Sequence, residues 1–233
     1  MTPLATMPIV SRASHPVQPS GRHHRLAARL LPLFGRYIGA PMVIGREHIP
    51  TTPFVICANH RSHIDSFALI YGLGLDNRCA LLAARDYFVE GRPWQRLLGL
   101  PFPVIAVDRT APGVSMLSTI RDAHSFFRAG GQALITYPEG SRQAGSDIAP
   151  FKRGAATLAL ALGRPILPVF IEGTERVLAK GRRLPLPGRI TLVLAPAIDP
   201  GPRPDGASWR ARSQLLIAEI ESAVRGLAVS RQQ

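Results

Sequence analysis

Residues 59–69 read NHRSHIDSFAL, which sets His60, His63 and Asp65 between the apolar run FVICA and a second apolar stretch. Side chains that hold or move protons, placed this close to a strand, suit three arrangements: a satisfied buried polar cluster, a metal site or an acid/base pair. On one continuous helix the His60–Asp65 offset turns the two side chains ~140° apart, out of each other's reach. If His60 instead lies in the turn before a helix, an aspartate in the first turn can reach back to its ring. Asp65 would then hold one ring nitrogen, set the tautomer and steady the imidazolium formed when the other nitrogen takes a proton. Such a pair carries no nucleophile, so the attacking group would be a substrate hydroxyl. A metal site is weakly supported, with no cysteine pair and no H-E-x-x-H spacing. Ser62, Ser141 and Cys57 are weaker nucleophile candidates, because none stands in a G-x-S-x-G elbow.

Two further clusters supply positive charge. Arg109 follows VIAVD, and Arg142 closes YPEGSR, with Lys152 and Arg153 soon after in FKRGAA. Guanidinium forks match phosphate oxygens two at a time, and a lysine adds a point charge beside them. Glu139, between a proline and a glycine, is placed to bind a hydroxyl or to hold an arginine. Each cluster follows an apolar run that reads as a strand, and in an α/β sheet the crevice at the carboxyl ends of the strands is where ligands bind.

The ordered set N-H-x-S-x-x-D, an arginine after a strand, P-E-G-S-R followed by F-K-x-G-A, and then PILPV resembles the glycerolipid acyltransferase family, which includes the 1-acylglycerol-3-phosphate acyltransferases. It spans about Val43 to Ala197. The resemblance implies that His60 is the general base that takes the proton of an acceptor hydroxyl as it attacks an acyl thioester, and that Asp65 orients it. It further implies that Arg109 and Glu139, Gly140, Ser141 and Arg142 bind the acceptor, with Lys152 beside them. PILPV, from Pro165 to Val169, matches the motif linked to the acyl donor or the structure around it. No cofactor is implied; acyl-CoA or acyl-carrier protein is a co-substrate. The second motif of the family commonly reads G-x-x-F-x-x-R, and here Pro103 and Ala106 stand at its Gly and Phe positions. The acceptor pocket around Arg109 should therefore differ in shape. The function expected is acyl transfer to a lysophospholipid, first 1-acylglycerol-3-phosphate. The alternatives are another acceptor such as a glycolipid, an aminolipid or glycerol 3-phosphate, or a non-enzymatic module that binds anionic lipid.

Composition bounds these readings. The 233 residues carry 28 Lys+Arg against 15 Asp+Glu, a formal charge of +13, which points to a polyanionic partner. Nucleic acid is disfavoured, since aromatic residues are scarce and neither zinc-finger spacing nor an RNA-binding signature appears. An anionic membrane surface fits better. The two cysteines, Cys57 and Cys79, both in apolar settings, imply no disulfide framework. No apolar run reaches the ~18 residues of a spanning helix, so a peripheral position on the cytoplasmic face is expected.

The elements that must position these residues read as an α/β fold. A single domain is expected, with a mostly parallel or mixed central sheet flanked by helices and preceded by an N-terminal amphipathic helix. Residues 1–21 read as a disordered tail. Over 22–41 Leu26, Leu30, Leu33, Phe34, Tyr37 and Ile38 share one face while Arg22, Arg25, Arg29 and Arg36 gather on the adjoining one, the pattern of a membrane-surface helix. The acyltransferase domain is expected over 42–230. Strands are expected at MVIG, FVICA, CALLAA, VIAV, ALITY, ILPVFI and ITLVLA, and helices at about Ser66 to Leu73, around WQRLLGL, and at VSMLSTIRDAHSFFRAGG and GAATLALALG. A last helix should start at Ser208 as its N-cap and end near Gly226.

Overall fold

The computed structural model describes residues 35–231 except 76–77, 85–102, 108–111, 144–146, 180–181, 183, 203–204 and 207. Among the described residues, seven strands form one sheet: β1 (Met42–Ile44), β2 (Phe54–Ala58), β3 (Cys79–Ala84), β4 (Val104–Val107), β5 (Ala133–Thr136), β6 (Ile166–Glu172) and β7 (Thr191–Leu194). Their order is β1-β7-β6-β2-β5-β3-β4, and every neighbouring pair is parallel except β6 with β7. Among the described residues, besides a helical turn at 35–38, the α-helices are α1 (Asp65–Leu73), α2 (Pro112–Arg128), α3 (Gly154–Leu162), α4 (Thr174–Val177) and α5 (Trp209–Ser230).

Side-chain alternation along β2 explains why FVICA is apolar throughout. Phe54, Ile56 and Ala58 point into one core with Phe67, Leu69 and Ile70 of α1. Val55 and Cys57 point into the opposite core with Phe126 of α2, Leu158 of α3 and Leu216 and Ile220 of α5. A strand covered on both faces has no solvent side to mark with polar residues. Burying a phenylalanine or isoleucine here stabilises the fold by about 1.5–3 kcal/mol. The central strand is therefore a rigid base for whatever leaves its carboxyl end.

The mixed sheet flanked by helices is the architecture expected. The helix around WQRLLGL lies outside the described residues, as does the tail at 1–21. Of the helix expected over 22–41, residues 35–41 are described, and 35–38 are helical. The last helix starts where expected, though without the side-chain cap, and departs from expectation at its other end. Ser208 takes the N-cap position but makes no side-chain cap, its hydroxyl donating instead to the carbonyl of Asp205 at 2.9 Å. Gly226 does not stop α5, which runs on to Ser230. A glycine terminates a helix when it turns left-handed, and the apolar residues beyond this one, Leu227 and Ala228, pack on the core and carry the helix past it. Among the described residues, no helix is long and apolar enough to cross a membrane.

Candidate active site

Because β2 and β5 are parallel neighbours in the register Cys57↔Thr136, their carboxyl ends stop level with one another. The segment 59–64 leaves β2 and the segment 137–142 leaves β5 at the same edge of the sheet, ~4.8 Å apart at their roots. They are then laced together. The N–H of His60 donates to Glu139 Oε1 at 2.7 Å, and the N–H of Gln143 donates to the carbonyl of His60 at 3.0 Å.

Asp65 opens α1, and its carboxylate turns back over the preceding turn. Oδ2 accepts the N–H groups of Arg61 and Ser62 at 2.7 and 2.8 Å and stands 2.9 Å from His60 Nδ1. An ionised carboxylate only accepts, so Nδ1 carries the hydrogen and Nε2 is left with its lone pair. Asp65 is wholly buried, whereas the His60 side chain keeps 20% of its surface exposed. The turn at His60 that the spacing demanded is present: residues 59–62 are irregular and 63–64 form the turn into α1.

Tyr137 fixes the ring from its face. The two rings stack with centroids 4.0 Å apart at 15°, and the Tyr137 hydroxyl and Ser66 Oγ share a 2.8 Å hydrogen bond. Burial pushes the phenol well above its usual range. The imidazole is thus held at its edge by Asp65 and on its flat side by Tyr137. Sequence reading did not single out Tyr137, although an aromatic beside the PEGSR cluster was visible.

Two other residues of NHRSHID hold the turn. Asn59 acts like one more strand residue beyond Ala58: its Nδ2 donates to the carbonyl of Ile171 at 2.9 Å, and its Oδ1 accepts the N–H of Ile171 at 2.7 Å. Ser62 Oγ is buried and donates to the carbonyl of Leu178 at 2.7 Å, so it is spent on structure. Cys57 is buried and its thiol is pushed up to about 12 by that burial, which removes it as a nucleophile at neutral pH.

Glu139, expected at the acceptor, spans two backbone segments: Oε1 takes the N–H of His60, and Oε2 takes the N–H of Ala149 at 2.8 Å. Burial raises its carboxyl above the ordinary value, and the bonds from Ala149 and His60 oppose that rise. Leaving either buried N–H without this acceptor would cost about 1–3 kcal/mol. Gly140 sits at φ +78, where a Cβ would meet Lys152 Nζ at 2.5 Å, so a side chain here would be strained and would displace the lysine. Ser141 is exposed and Arg142 half-buried on the same loop, and Lys152 is exposed, with its N–H donating to Pro138 at 2.8 Å. Arg109 lies outside the described residues; β4, which precedes it, stands three positions from β2, about 14 Å across the sheet.

His63 lies near enough to Arg142 and His60 to feel their charge. Burial, then Arg142 and His60, lower its pKa from 6.5 to about 4, so it is neutral at pH 7. Between those values the unfolded chain takes up a proton that the folded chain refuses. The stability this group contributes is therefore full above about pH 6.5 and is lost as pH falls toward about 4. His63→Asn is expected to make the fall in Tm on acidification across that window shallower, checked by thermal melts at a series of pH values. An unaltered slope would refute this.

A sequence model described as acyltransferase matches residues 41–172. The chain belongs to the acyltransferase family. Among relatives of this acyltransferase chain, a 1-acyl-sn-glycerol-3-phosphate acyltransferase alpha from Mus musculus is 32% identical over 193 residues, 76% of this chain and 62% of the relative. A 1-acyl-sn-glycerol-3-phosphate acyltransferase from Pseudomonas aeruginosa is 30% identical over 157 residues, 67% of this chain and 58% of the relative. The chain thus spans less than two thirds of the length of either. The crystal structure of a 1-acyl-sn-glycerophosphate acyltransferase from Thermotoga maritima shares the fold at TM-score 0.54 and 23% identity, covering 85% of this acyltransferase chain and 80% of its own.

Proposed function

We propose that this chain transfers a fatty acyl group from acyl-CoA or acyl-carrier protein to the hydroxyl of a lysophospholipid, 1-acylglycerol-3-phosphate first among them, with His60 as general base. The observation that carries this reading is the 2.9 Å contact between His60 Nδ1 and a buried Asp65 whose oxygen is also held by two backbone N–H groups. The names of the relatives support the choice of acceptor.

In this mechanism the acceptor hydroxyl lies against His60 Nε2. As its oxygen attacks the thioester carbonyl, the proton passes to Nε2 and the imidazolium is stabilised by Asp65. The tetrahedral oxyanion collapses, the C–S bond breaks, and the departing thiolate takes the proton back from His60, so the enzyme returns to its starting state. General-base assistance of this kind contributes ~10²–10⁴-fold, and holding the two substrates in line contributes further. Arg142 and Lys152, on and beside the loop that buttresses His60, with Arg109 in support, hold the acceptor phosphate. The enzyme works at the cytoplasmic face of a membrane as a peripheral protein, its basic 22–41 segment drawn to anionic lipid.

A second reading keeps the chemistry and changes the acceptor; Pro103 and Ala106 in the second motif favour it. A panel of labelled acyl-CoA and acyl-carrier-protein donors against lysophosphatidic acid, other lysophospholipids, glycolipids and glycerol 3-phosphate, with products weighed by mass spectrometry, tests both. Phosphatidic acid as main product supports the first reading. No acylated product from any pair refutes both.

A further inference from the structure

The reversed strands of the sheet carry a second feature to the edge where His60 lies. β7 is antiparallel to β6 and β1 is parallel to β7, so both run opposite to β2. Their amino ends therefore stand at the edge where β2, β5 and β6 end. The chain entering β1 and the connection from α4 to β7 meet there. The N–H of Met42 donates to the carbonyl of Ile190 at 2.9 Å, that of Gly188 donates to Ile38 at 3.2 Å, and the Tyr37 hydroxyl donates to the carbonyl of Pro185 at 3.3 Å.

This connection is anchored on the site. It begins at Leu178, whose carbonyl takes the Ser62 hydroxyl, and the N–H of Leu186 donates to Val177 at 2.8 Å. Gly173, at φ +90, leaves no room for a Cβ against the carbonyl of Arg189. The described residues of these two segments, tied by the hydrogen bonds above, nevertheless present large apolar side chains to solvent: Leu184 is 78% exposed, Tyr37 54% and Leu186 46%. Arg36, Arg182 and Arg189 are exposed beside them on the same two segments. Neither 35–44 nor 182–190 contains an aspartate or glutamate.

We propose that Tyr37, Leu184 and Leu186, flanked by Arg36, Arg182 and Arg189, form a docking surface for an anionic lipid bilayer. Leucine and tyrosine enter the boundary between headgroups and acyl chains while the guanidinium groups meet the lipid phosphates. Charge selects this occupant: three arginines without an acid repel another copy of a chain whose net charge is +13. Position agrees with it, because an acceptor whose acyl chain stays in the bilayer must meet His60 at the edge that faces the bilayer. The proposal deepens the acyltransferase reading by naming the surface through which a lipid acceptor arrives, and rests on it for that purpose alone.

The test uses the full chain with phosphatidylglycerol/phosphatidylcholine vesicles and with phosphatidylcholine alone. Wild-type protein should cosediment with the anionic vesicles and release at high salt. Leu184→Ser combined with Leu186→Ser should weaken that binding by about tenfold or more, with the circular dichroism spectrum unchanged. Acyl transfer to a short-chain acceptor below its micelle concentration should be unaffected in this variant. As a separate probe, Leu184→Trp should show a blue-shifted emission, quenched by brominated lipid, on adding anionic vesicles. Unchanged binding of the double variant overturns the proposal. So does an indole already shielded without lipid, which would mean that the chain covers its own patch, or one shielded only by acyl-carrier protein. If vesicle binding behaves as stated but wild-type protein acylates nothing, the surface stands and the catalytic reading falls.

Discussion

His60→Ala is expected to lower kcat for acyl transfer by about 10²–10⁴-fold while the protein stays folded and keeps its affinity for vesicles. The loss follows from geometry: Nε2 is the one ring nitrogen not committed to Asp65, and removal of the ring leaves no base in its place. Folding should survive because the backbone N–H and carbonyl of His60, which bond Glu139 and Gln143, do not depend on the side chain. The vacated space against Tyr137 reaches solvent and can fill with water. Single-turnover assays with labelled acyl donor, alongside circular dichroism, check this. Activity within a few fold of wild type would remove His60 from the mechanism.

Asp65→Asn should cost nearly as much, for a different reason. The asparagine can place its amide oxygen where Oδ2 lies and keep the bonds from Arg61, Ser62 and His60 Nδ1, so the turn keeps its shape. Its amide NH2 then occupies the position of Oδ1, which has no hydrogen-bond partner among the described residues even as it stands. The charge is what disappears. The imidazolium formed at the transition state loses its counter-ion in a buried site, and kcat is expected to fall by about 10²–10³-fold with KM within about threefold of wild type. Asp65→Ala differs: it strands the N–H groups of Arg61 and Ser62, so it should lower Tm as well as kcat. A KM increase with unchanged kcat in Asp65→Asn would show that the carboxylate acts in binding alone.

The sheet and all seven of its described strands were legible because each is an apolar run bounded by polar or turn residues, and the contact of Asp65 with His60 was foreseeable on the condition of a turn at His60, which the structure has. What escaped reading from the sequence involves partners far along the chain. Glu139 looked like a ligand for hydroxyl or arginine; its two oxygens are taken by backbone N–H groups 79 and 10 residues away. Asn59 entered the sequence reading only as the first residue of a motif, yet it extends the sheet toward Ile171, 112 residues on. Gly226 looked like a stop, but a helix held by its apolar face against α3 and the sheet passes a glycine at a cost of about 1 kcal/mol.

By itself the sequence determined the alternation of strands and helices, the local reach of Asp65 back to His60, and the surplus of arginine. These depend on periodicity, short-range geometry and composition. Only the tertiary structure decided that Tyr137 stacks on His60, that Glu139 braces the turn, and that the reversed β1 and β7 bring Tyr37, Leu184 and Leu186 to the edge of the sheet where His60 lies. Those outcomes depend on strand order, register and direction. Register and direction are set by which apolar faces fill the two cores together, a property of the packed whole that no local stretch contains.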